Sequence, residues 1–104
     1  MIRSLTIDVT AAAGAQQIEP FVKGIAAKTR TVTEIWCEQH ADARLRGYLE
    51  SDQIVDVGGT CDQLLTRGVP VDLLVPVGQT FHAGWQDMAA AGITGEVTVF
   101  YREE

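Results

Sequence analysis

Polar and apolar residues alternate from Ser4 to Thr10, with Leu5, Ile7 and Val9 set between Ser4, Thr6 and Asp8. That period of two predicts a half-buried strand. Ile18, Phe21, Val22 and Ile25 then fall at i, i+3, i+4 and i+7, the spacing of one helix face, and Pro20 suits a first helical turn. A helix is expected from about Glu19 to Lys28. Thr31 to Glu38 is rich in β-branched and aromatic residues and predicts a strand. Ala43, Leu45, Gly47 and Leu49 alternate with Arg44, Arg46, Tyr48 and Glu50, which predicts another. Ser51-Asp52 signals a turn into a short strand from Gln53 to Val57. These three strands are expected to form an antiparallel meander.

Gly58-Gly59 breaks the pattern. Thr60 with Gln63 three residues later is a capping box, so a short helix is expected there, stopped by Gly68 and Pro70. Val71 to Val75 reads as a strand that Pro76 ends. Phe81, Trp85 and Met88 share one face at i, i+4 and i+7, which predicts a helix from Gln79 to Ala91 with Gly92 as its cap. Glu96 to Tyr101 is the last expected strand.

The expected fold is therefore α+β. It is a two-layer sandwich with a mixed, mainly antiparallel sheet of five to six strands and two to three helices packed on one face. The order of elements resembles a ferredoxin-like sandwich with an extra hairpin, a likeness that implies no function. At 104 residues the chain fits one domain, residues 1–104.

Charge narrows the partners. A net charge of −6 disfavours nucleic acid and anionic membrane surfaces. The start of the chain alternates instead of running apolar, and no apolar stretch is long enough for a membrane helix, so a reducing cytoplasm is expected. Between Arg67 and Arg102 only Asp72, Asp87 and Glu96 carry charge. So charge-poor a third implies a subunit interface, and a homo-oligomer, in the first instance a dimer, is expected.

Candidate chemistry is sparse. Cys37, His40, Cys61 and His82 are zinc-type ligands, but structural zinc sites use two tight pairs and here there is one. No metal and no cofactor is assigned. Cys61 at a helix start could act as a lowered-pKa thiol, although Asp62 beside it opposes that. The junction from Val57 to Asp62 could hold a phosphate on free backbone N–H groups, although Asp56 and Asp62 repel an anion. Arg44, Arg46 and Tyr48 could bind an anion, but pairing with Glu34 and Glu38 across the meander is simpler. A small-ligand pocket rimmed by His82, Trp85, Gln86 and Asp87 is the best-supported site. The overall expectation is a small acidic self-associating module that binds a protein or a small molecule without catalysis. The alternative is a small enzyme or ligand carrier with its pocket near His82, Trp85 and Asp87.

Overall fold

The computed structural model describes residues 1–38, 40, 42–59 and 68–104. These residues form eight strands and no helix: β1 (Ile2–Ala11), β2 (Gln16–Lys23), β3 (Arg30–Cys37), β4 (Ala43–Leu49), β5 (Asp52–Gly58), β6 (Gly68–Leu74), β7 (Thr80–Asp87) and β8 (Ile93–Glu103). They make two four-stranded sheets, ordered β1-β8-β3-β6 and β2-β7-β4-β5, and every strand pair is antiparallel. The expected α+β class is thus corrected to an all-β sandwich. The place assigned to helices on one face is taken by a second sheet.

Both misplaced helices within the described residues have a physical cause. In β7, Phe81, Ala83, Trp85 and Asp87 point inward and are buried, while Thr80, His82 and Gln86 are half-buried on the outer side. A separation of four is one turn of helix, but it is also an even number, so Phe81 and Trp85 share a face in a strand as well. Met88, the third member of the supposed helical stripe, is exposed just past the strand. In β2 the register slips between Pro20 and Val22, so consecutive Phe21 and Val22 are both buried. That bulge reproduces the i+3, i+4 doublet of a helix. Pro20 is tolerated because β2 is an edge strand. The short helix expected after Thr60 lies outside the described residues.

The strands expected from alternation are all present. Ser51-Asp52 does form the β4–β5 turn, with Glu50 at φ 54°. The expected three-strand meander is not formed, because β3 lies in one sheet and β4 and β5 in the other.

The core lies between the sheets. Val9, Val32, Ile35, Val97 and Val99 come from one layer and Val22, Leu45, Phe81, Ala83 and Trp85 from the other, each at most 1% exposed. Trp85 is the largest fully buried side chain. Its indole N–H donates to the Gly95 carbonyl of the opposite sheet at 3.3 Å, so the largest apolar body in the core carries its own polar partner. Gly47 is buried, and a Cβ there would meet the Phe81 ring at 2.9 Å. The missing side chain at Gly47 is what lets the ring settle between the layers.

The strand directions gather the β1–β2, β3–β4 and β7–β8 connections at one end, here the loop pole. Leu45→Ala should cost about 2–5 kcal/mol, because the deletion leaves a cavity between two rigid sheets. Urea denaturation followed by Trp fluorescence checks this; a loss below about 1 kcal/mol would contradict the core described above.

Candidate functional site

Alternation in β7 separates the four residues of the expected pocket. Trp85 and Asp87 point inward, and His82 and Gln86 lie on the outer face of their sheet. His82 stands between Tyr48 and Pro20 in register, and its Nδ1 is buried without a hydrogen-bond partner. Gln86 Oε1 accepts from Arg46 at 3.4 Å, and its amide nitrogen donates to the Gly14 carbonyl at 3.2 Å. These two side chains belong to a polar network on that face. In it Arg46 also donates to Gln16 at 3.0 Å, and the Tyr48 hydroxyl lies 3.0 Å from Gln53 Oε1 and 3.3 Å from Gln16 Oε1, with one hydrogen to give between them.

Arg44 and Arg46 are ion-paired, as the strand pattern implied, but to a different partner. Both meet Asp56 of β5, at 2.6 and 3.3 Å. The hydrogen bond from Arg44, followed by that from Arg46, holds the Asp56 carboxyl below its ordinary value. Glu34 and Glu38 lie in the other sheet. Glu34 accepts the Trp36 indole N–H, and Glu38 accepts the Glu96 backbone N–H at 2.6 Å.

Asp87 sits at the loop pole and is 4% exposed. Its carboxylate accepts backbone N–H groups from Gly14 at 2.9 Å, Ala89 at 3.1 Å and Gly92 at 2.7 Å. One side chain thereby ties the β1–β2 turn to the β7–β8 loop. The Gly14 bond first, then Gly92, lowers the Asp87 pKa against the opposing effect of burial. Gly14 at φ 71° and Gly92 at φ 77° adopt the left-handed conformation that such tight turns require. Gly92, expected as a helix cap, therefore serves a strand-to-strand loop.

Beside this staple the pole holds a cavity of about 180 Å³, lined by His40, Asp42, Asp87, Ala89, Ala91, Gly92 and Ile93. The His40 ring meets Trp85 edge-on, with centroids 5.2 Å apart. Its Nε2 is buried without a hydrogen-bond partner against Gly95, where a Cβ would lie 2.7 Å away. Asp87 is thus the one member of the expected pocket that lines this cavity, and Trp85 stands behind it through His40.

The zinc-type set does not assemble among the described residues. Cys37 lies in β3 with its Sγ 3.9 Å from the Gly59 carbonyl, His40 is at the pole, and His82 is on the outer side of the opposite sheet. Cys61 lies outside the described residues, and so does the thiol reading built on it. The proposed phosphate junction is partly described. Gly59 donates its N–H to Ala43 O and accepts from His40 N–H, both at 2.8 Å, so its backbone is committed to the fold.

Two further features were not legible in the sequence. Asp8, Glu38 and Glu96 place carboxylate oxygens within 4.8 Å of one another on an exposed sheet face. Only strand register, with Asp8 opposite Glu96, joins residues so far apart in the chain. Between the edge strands β5 and β6 lies a second, larger cleft of about 410 Å³, lined by Val55, Val57, Val69, Val71 and Leu73 with Asp56 and Asp72 beside them.

No protein-family model matches the chain, and no curated protein matches it. Among solved structures it is similar to the nucleoplasmin-like N-terminal domain of Drosophila FKBP39, with a TM-score of 0.45 and 10% sequence identity, over 97% of this chain and 90% of that one.

Replacing Asp87 by Asn should lower the melting temperature at pH 7, because the loops lose a charged acceptor for their N–H groups. A carboxyl with a depressed folded-state pKa stabilises above its unfolded value of 3.8 and loses that contribution as pH falls through the folded value. The difference in melting temperature between wild type and Asp87→Asn should therefore shrink as acid is added below pH 3.8. A difference that stays constant from pH 7 to pH 2 would show that the charge of Asp87 plays no part.

Proposed function

We propose that this protein is a non-catalytic β-sandwich module that self-associates through its open side, between β5 and β6. The carrying observation is the exposure of apolar side chains there. Ile54, which lines the cleft, is 43% exposed, and Val57, Val69, Val71 and Leu73 along it are only half-buried. Side chains that alternation directs into the core are left short of a second layer along this side. Covering them removes apolar surface from water, the main driving force of association.

Size and composition support a second copy as the cover. The chain measures 42 × 29 × 19 Å, so a side that runs along the strands and through both layers offers on the order of 800 Å². That is the area a standard interface takes from each partner. β6, with Val69, Val71 and Leu73 along the cleft, belongs to the charge-poor stretch between Arg67 and Arg102. Asp56 beside the cleft is neutralised by Arg44 and Arg46 on its own chain. A twofold pairing of this side brings apolar stripe to apolar stripe.

Light scattering after gel filtration, with native mass spectrometry, tests this reading. Wild type should run as a dimer or larger assembly at micromolar concentration. The variant Ile54→Glu should be monomeric with an unchanged circular dichroism spectrum, since Ile54 is exposed. A wild-type protein that stays monomeric at high micromolar concentration would overturn the proposal.

A further inference from the structure

The cavity at the loop pole has a chemistry distinct from the open side. Among the described residues, two carboxylates line it, Asp42 at its exposed rim and Asp87 deeper, and no Lys or Arg side chain does. Its other described walls are Ala89, Ala91, Gly92, Ile93 and the His40 ring. Two negative charges beside short aliphatic walls favour a cation with an apolar body. The volume, about 180 Å³, equals that of about six waters, which admits a compound of a few heavy atoms and excludes a drug-sized one. A bare metal ion fits poorly. Among the described residues, donor atoms converge within 4.8 Å only at Asp8, Glu38 and Glu96, not at His40, Asp42 and Asp87.

We propose that this cavity is a binding site for a small aliphatic ammonium compound, its charged head toward Asp42 and Asp87 and its short alkyl body against Ala89, Ala91 and Ile93. The site is preformed, because the Asp87 carboxylate already holds the Gly14, Ala89 and Gly92 amides in place. Those bonds also keep it ionised at neutral pH. Asp87 here has two roles, as a staple of the loops and as one of two charges facing the ligand. Asp42 is free of the first role as a side chain, although its carbonyl accepts the Met88 N–H at 2.9 Å. Its substitution therefore separates ligand binding from loop integrity.

Titration of the ¹⁵N-labelled protein with ethylammonium chloride at fixed ionic strength tests the site, with n-propanol and sodium propionate as neutral and anionic probes of similar size. Ethylammonium should give saturable amide shifts confined to Gly14 and residues 88–93, and the other two probes should not. Asp42→Asn should weaken the binding roughly tenfold, as removal of one close charge implies. Ala91→Leu, which fills the cavity and leaves both carboxylates, should abolish it. Shifts that fail to saturate, that propanol reproduces, or that survive both substitutions would overturn the proposal. Native mass spectrometry of the same variants reads self-association separately, so loss of ammonium binding and loss of the dimer are distinguishable.

Discussion

The structure depends on Trp85 being buried between two sheets with its one polar atom satisfied across the gap. An indole is large enough to touch both layers, and its N–H must find an acceptor once water is excluded. Gly95 supplies the carbonyl from the opposite sheet. Gly95 must also stay small, because the His40 ring fills the space a Cβ would need. Trp85, Gly95 and His40 thus form one packed unit that fixes the spacing of the layers at the loop pole. Asp87, two residues further along the same face of β7, then organises the loops that cap it. A single strand carries the core anchor and the loop staple on the same period of two.

Legibility in the sequence follows from this. Strands with clean alternation, such as Leu5-Thr6-Ile7-Asp8-Val9, are readable because burial of one face leaves no other pattern. β7 and β2 misled for separate reasons. In β7 the spacing from Phe81 to Trp85 suits both periods, and the exposed Met88 completed a helical stripe by coincidence. In β2 a bulge put Phe21 and Val22 on the same side. Once two strands are read as helices, a two-sheet sandwich becomes a one-sheet fold with helices above it. The error in class is larger than the error in either element.

The candidate sites divide along the same line. That Arg44 and Arg46 are cross-strand paired was readable from their alternation, but the partner was not, since Asp56 faces them only through β4–β5 register. The expected pocket groups its residues as neighbours on a helix. In a strand, His82 and Gln86 go to one face and Trp85 and Asp87 to the other, which leaves Asp87 as the member that reaches a cavity. Its three backbone donors lie at Gly14, Ala89 and Gly92, and the first of these is 73 residues away. No local spacing records such a contact. The acidic group of Asp8, Glu38 and Glu96 is invisible for the same reason.

The two sides of the sandwich are not equivalent, and the topology says why. On one side the short turn between β1 and β2 carries the chain directly from sheet to sheet, and Asp87 and Gln86 bond its Gly14. On the other side β5 and β6 end their sheets, with a cleft between them. An open edge of this kind invites a further strand, and the sequence of β6 opposes that. Pro70 lacks a backbone donor, and Asp72 is an exposed charge in mid-strand. Both are features that guard an edge against uncontrolled pairing. What β6 leaves available is the side chains along the cleft, Val69, Val71 and Leu73, which are half-covered. The proposed association on this side would therefore proceed by packing of apolar side chains between two defined surfaces and not by extension of a sheet.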